Sequence, residues 1–81
     1  MMYEDFLKQT GQKIKKLRID KGLNQLQLAI RMEDGSGPNS ISDIECGRRN
    51  PTLKTLFKVA EALGVEFKDL FDFNDNEGVK K

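Results

Sequence analysis

Four glycine-marked breaks, at Gly22, at Gly35 with Gly37, at Gly47 and at Gly64, cut this chain into segments of helical length. Between them no run alternates apolar and polar residues over the length of a strand. The apolar residues recur three and four positions apart instead, the spacing of one helix face. A chain punctuated in this way is confined to short helices packed on one another, a compact all-α bundle. With 81 residues, of which 37% are hydrophobic, it can fill one modest core and not two.

The caps sharpen the segments. Ile14 and Leu17 share a face of a first helix that ends near Lys21 and Gly22; the sequence does not fix where it starts, Tyr3 being the earliest limit. Asn24 reads as an N-cap, and Gln27 three residues on completes a capping box. The second helix spans about residues 25–32 and turns Leu28 and Ala29 inward. Residues 33–37 contain two glycines and no apolar side chain, a clear break. Pro38 suits the first position of a third helix, over residues 38–46, because its missing N–H has no intrahelical partner there. Ile41 and Ile44 are its buried side. Thr52 caps a fourth helix whose buried stripe reads Leu53, Leu56, Ala60 and Leu63. Residues 66–71 or 66–73 form a short fifth helix. The domain is expected to occupy residues 1–73, with residues 74–81 a polar, disordered tail.

The side chains exclude much chemistry. The chain has no His and one cysteine, Cys46. An internal disulfide, a Cys/His zinc site and a His-activated nucleophile are therefore all ruled out. No enzyme, cofactor or metal role is expected, and no apolar run is long enough for a membrane span. A reducing, cytoplasmic setting follows as the expectation. Cys46 is expected to be a small buried or half-buried residue. The formal net charge is only +1, but it is unevenly spread. Residues 1–30 hold six basic and three acidic side chains, and residues 66–81 hold three basic and five acidic ones. A polyanion-facing end and an acidic tail fit that gradient.

The informative constellation is the pair of short helices around the break at residues 33–37. In a helix-turn-helix the second helix enters the major groove and the first crosses the backbone. The second needs apolar anchors on one side and small polar side chains on the other. Ile41 and Ile44 are the anchors; Asn39, Ser40, Ser42 and Asp43 are the polar set. Asn bonds bidentately to adenine, Ser to several base edges, and Asp accepts from the cytosine amino group. Phosphate contacts are expected from Asn24 and Gln25 before this helix and from Arg48 and Arg49 after it.

Three strings carry a resemblance to a known family: IKKLRIDKGLNQLQLA from Ile14, ISDIECGRRNPTL from Ile41 and AEALGV from Ala60. In that order and spacing the chain resembles the Cro/lambda-repressor-like (XRE-type) helix-turn-helix domains, over about 50 of its residues. The resemblance implies five helices, operator binding and a twofold dimer. It implies that Gln25 caps and positions the second helix against a phosphate. Asn39, Ser40, Ser42 and Asp43 then fall at base-facing positions, and Arg48, Arg49 and Asn50 fall in the loop that follows the backbone. Arg18 and Glu45 become an ion pair joining the first helix to the third, and Leu28, Ala29, Ile41 and Ile44 the motif's core. The chain departs from the pattern in the turn, which is about two residues longer than usual and carries Glu33 and Asp34. Those acids are expected to point away from phosphate. Pro38 stands where many members carry a contacting side chain.

The reading is a sequence-specific regulator of double-stranded DNA, a repressor acting as a homodimer on a pseudo-palindromic operator. The alternative is an antitoxin or adapter whose main partner is a protein such as a toxin, with Phe67, Phe71 and Phe73 as its surface. Val65, Phe67, Leu70, Phe71 and Phe73 exceed what a short helix hides alone. Part of that set is expected to cap the core and part to form a dimer interface.

Overall fold

The computed structural model describes residues 1–73, and the expected tail lies outside them. Its elements are α1 (Tyr3–Asp20), α2 (Gln25–Met32), α3 (Pro38–Glu45), α4 (Leu53–Leu63) and a closing 3-10 helix (Phe67–Phe71). There is no strand among the described residues. The all-α reading holds, with two refinements. The first helix is long, 18 residues. The fifth is a tight 3-10 turn, capped by Glu66, whose N–H donates to the Asp69 carboxylate at 3.0 Å.

Local chemistry sets the boundaries of the middle helices. The Asn24 carboxamide oxygen accepts from the Gln27 N–H at 2.7 Å, and Gln27 Oε1 accepts from the Asn24 N–H at 2.8 Å. The capping box is complete. Pro38 occupies the start of α3, as its lack of an N–H suggests. Thr52 accepts from the Thr55 N–H at 3.1 Å, and Gly64 ends α4 in the left-handed conformation. The linker between α2 and α3 turns through Glu33 and Gly35, whose φ angles are 54° and 84°.

Ile14, Leu28, Ala29, Met32, Ile41, Ile44, Leu56, Val59, Ala60, Leu63 and Leu70 make one buried core. All four helices and the 3-10 helix contribute to it. Helix α3 lies between α1 and α2, while α4 packs on α2 and on the 3-10 helix. At Gly11 the backbones of α1 and α3 nearly touch: a Cβ there would lie 2.3 Å from the Ile44 carbonyl oxygen and 2.6 Å from that of Glu45. No side chain separates the two helices at this crossing.

Two burial expectations fail. Leu53 is not part of the stripe; it is 74% exposed, and the stripe runs Leu56, Val59, Ala60, Leu63. Helical side chains lean toward the N-terminus, so a residue at the first helical position leans past the packed length of its helix. Cys46 is exposed, not buried. It caps α3 five residues after Ile41, which swings it to the outer side of the helix.

The terminal aromatic residues are mostly spoken for. Leu70 is fully buried, and Val65, Phe67 and Phe71 pack against the core. Phe6 of α1 stacks on Phe71 with centroids 5.7 Å apart, and Phe73 meets the same ring edge-on at 5.9 Å. Phe67 meets Phe71 edge-on at 5.2 Å. Rings thus join the start of α1 to the last of the described residues. The large apolar groups that remain exposed lie elsewhere, at Ile19, Leu26, Ile30, Leu53 and Phe57 among others.

Candidate nucleic-acid interface

Helix α3 has a buried side and an outer side. Ile41, Ile44 and Glu45 are buried. At helical spacing Asn39 and Asp43 then fall on the outer face, one turn apart, with Ser40 and Ser42 on its two flanks. Asn39 is exposed; Ser40, Ser42 and Asp43 are half-buried. The four nominated side chains therefore lie together, in one strip, on the side of α3 away from its buried anchors.

What fixes the angle of that strip is a buried polar network. Glu45 accepts from Arg18 Nε at 2.7 Å on one oxygen and from an Arg18 terminal nitrogen at 3.1 Å on the other. The pair is nearly dry, with side chains 9% and 2% exposed. Arg18 spends its third donor on the Leu23 carbonyl oxygen at 2.8 Å. Gln25 Nε2 donates to Glu45 Oε1 at 3.2 Å. A bidentate guanidinium–carboxylate pair imposes direction as well as attraction. Here it ties α1, the entry to α2 and the end of α3 to one another.

The nominated phosphate-side residues sit at the edges. Asn24 is the cap of α2, and Gln25 is its first helical residue. Capping thus belongs to Asn24, while the Gln25 amide holds Glu45. The first N–H groups of α2 lie at this same end, where a helix favours an anion. After α3, Gly47 takes a φ of 75°, and a Cβ there would lie 2.8 Å from Lys8 Cγ. The chain turns back through two hydrogen bonds, Gly47 N–H to the Ile44 carbonyl at 3.1 Å and Arg48 N–H to that of Asp43 at 2.9 Å. Arg48 then lies against Asp43, donating from Nε at 3.3 Å and from a terminal nitrogen at 3.1 Å. Arg49 approaches the other Asp43 oxygen at 3.7 Å. Hydrogen bonding to Asp43 holds the Arg48 guanidinium more firmly protonated than usual.

Asn50 accepts from the Tyr3 hydroxyl through its side-chain oxygen. Its amide nitrogen is the group left to donate outward. Ser40, Arg49 and Asn50 line one hollow of about 140 Å³, together with Ser36, Thr52 and Thr55. In the α2–α3 linker the Asp34 carboxylate accepts from the Ser36 N–H at 2.9 Å. Bonds from the Ser36 hydroxyl and backbone hold it below its ordinary pKa. Asp34 is thereby folded onto its own turn. Sequence reasoning missed Tyr3, Gly11 and Phe6, which brace the site from α1. A glycine inside a helix was the one signal on offer, since it disfavours the helix unless something must come close.

Comparison with known proteins settles the family. The helix-turn-helix family model matches residues 14–70. The chain belongs to that family. It is a DNA-binding helix-turn-helix transcriptional regulator of the XRE type. Among its helix-turn-helix relatives, control protein C.BamHI of Bacillus amyloliquefaciens is 43% identical over 63 residues, covering 78% of this chain and 76% of that one. The immunity repressor protein of Bacillus phage phi105 is 43% identical over 56 residues, covering 69% of this chain and 38% of the repressor. The crystal structure of the restriction-modification controller protein C.AhdI from Aeromonas hydrophila matches with a TM-score of 0.76 and 37% identity, over 80% of this chain and 96% of C.AhdI. No helix among the described residues is long and apolar enough to cross a membrane.

Proposed function

We propose that this helix-turn-helix protein is a sequence-specific regulator that binds a pseudo-palindromic operator as a homodimer and represses from it. The observation that carries the reading is the outer strip of α3. Asn39, Ser40, Ser42 and Asp43 stand on a helix whose angle is fixed by the Arg18–Glu45 pair. The strip is bracketed by the N-terminus of α2 and by Arg48, Arg49 and Asn50. Asn39 and Ser42 would read base edges. Ser40, Arg49 and Asn50, around one hollow, would follow the sugar-phosphate backbone, with Asn24 and Gln25 at a second phosphate.

Two copies are needed because one small module makes few contacts, and pairing multiplies affinity through effective concentration. Leu53 and Phe57 stand one turn apart on α4 and are 74% and 54% exposed, which suits them to a subunit contact. A twofold dimer places two copies of α3 about one helical turn, roughly 10 base pairs, apart on the duplex. Occupancy of such a site in a promoter blocks it. The resemblance to C.BamHI and C.AhdI supports a control protein acting on a nearby promoter, and that to the phi105 immunity repressor supports repression. The alternative of a toxin-binding module has less to stand on, because Phe67, Phe71 and Phe73 are engaged within the chain. A cytoplasmic setting accords with a regulator of DNA.

The test is selection of bound duplexes from a random library at near-physiological salt, which screens generic attraction. The expected result is a motif of two half-sites. Arg49→Ala should then weaken binding to every duplex and flatten the salt slope by about one unit. Asn39→Ala should instead relax the preference at particular bases. If the two variants behave alike, α3 does not read the groove.

A further inference from the structure

Asp43, Arg48 and Arg49 act as one unit. The turn at Gly47 delivers Arg48 to Asp43, and its N–H bond to the Asp43 carbonyl locks the approach. Asp43 Oδ1 takes both Arg48 hydrogen bonds. Oδ2 faces Arg49 at 3.7 Å, outside hydrogen-bond distance, so it keeps acceptor capacity. Both arginines are exposed, at 61% for Arg48 and 50% for Arg49, and the half-buried Asp43 side chain still shows 36% of its surface to solvent. Exposed ion pairs contribute little to stability. The arrangement therefore calls for a use other than holding the fold.

Its use follows from where it sits. Generic attraction to DNA is set by the cations that reach phosphates. The carboxylate is within a few ångströms of both guanidiniums and offsets one of their two charges. On the floor of the major groove the amino groups of cytosine and adenine are the donors a carboxylate can meet. Facing any other edge, Oδ2 loses water and gains nothing, which is unfavourable.

Resting on the DNA-binding reading above, we propose that Asp43 determines specificity by subtraction. It lowers the hold of Arg48 and Arg49 on every duplex and returns the loss where a base presents an amino group to Oδ2. The residue gains selectivity through its penalty on wrong sites more than through its bond at the right one.

Asp43→Asn, with the fold checked by its thermal melt, tests this against the operator from selection and a scrambled duplex, each titrated over a range of salt. The expected result is scrambled-duplex binding about tenfold tighter at low salt, with a log–log salt slope steeper by about one. The ratio of operator to scrambled affinity should fall by about tenfold or more, with preference relaxed at one or two adjacent positions in each half-site. In an Arg48→Gln, Arg49→Gln background the same change should leave the salt slope where it was. An unaltered ratio in Asp43→Asn overturns the proposal, and so does an equal loss on both duplexes, which would make Asp43 a support for the arginines. If the native protein selects no duplex at all, the DNA-binding reading fails and this inference falls with it. If it selects an operator and Asp43→Asn does the same unchanged, only the role of Asp43 fails.

Discussion

Removing the Glu45 carboxylate strands the Arg18 guanidinium in a nearly dry crossing, with Leu23 and no anion for company. Glu45→Ala should destabilise the fold by about 3–5 kcal/mol in chemical denaturation. Replacing both partners, Arg18→Met with Glu45→Leu, should recover most of that loss, because no charge is left buried. The recovered protein should still discriminate operators poorly, since the pair also sets the direction of α3. A milder residue-scale prediction concerns Asp34. Its carboxyl titrates below 3.8 because the Ser36 hydroxyl and N–H favour its charged form. A carboxyl with a depressed folded pKa stabilises the fold above its unfolded pKa, and that contribution is lost as pH falls through the folded value. Ser36→Ala removes the hydroxyl bond and keeps the backbone one. NMR titration should show the Asp34 pKa rising toward 3.8 without reaching it.

Among the elements, the crossing of α1 and α3 is the least forgiving. The atoms that a Cβ on residue 11 would strike are carbonyl oxygens at 2.3 and 2.6 Å, and backbone cannot swing aside as a side chain can. Gly11→Ala should cost about 1–3 kcal/mol in stability, although Ala is the better helix former by about 1 kcal/mol. It should also weaken operator binding, since relief of the clash requires α3 to tilt. A crystal structure of the variant would measure the tilt. Helix ends were legible in the sequence because caps are local: Asn24 with Gln27, Pro38, Thr52 and Gly64 each act within a turn. Leu53 and Cys46 were misjudged because burial depends on where a neighbouring element stops, which periodicity does not encode. The contacts of Phe6 and Tyr3 were invisible for the related reason that their partners lie far along the chain, 47 residues in the case of Tyr3 and Asn50, and Gly11 gave only the signal of a glycine inside a helix. The Arg18–Glu45 pair came from family resemblance, and the geometry bears it out. The base-facing set was nominated from helical spacing, side-chain chemistry and the same resemblance. Its coupling to the arginines depends on the Gly47 turn, whose left-handed φ is only five or fewer residues from each partner and could have been read.

The whole molecule offers the apolar pair Leu53 and Phe57 to solvent, the contact assigned above to the proposed dimer. Phe57→Asp should convert a dimer to monomer in sedimentation equilibrium while leaving the melting temperature nearly unchanged. Operator affinity should fall by about 10²-fold or more, because effective concentration is lost while each half-site contact survives. At this scale one feature of α3 has an evolutionary consequence. Ile41, Ile44 and Glu45 fasten the helix, whereas Asn39, Ser40 and Ser42 point away from what fastens it. Those positions can be exchanged without disturbing the scaffold, so on the proposed reading a duplicated gene acquires a new address in the genome by changing Asn39 and Ser42 at the surface. Asp43 is the exception: altering it also releases two arginines. Lineages that diverge in operator should therefore change residue 43 together with 48 or 49, and residues 39 and 42 singly.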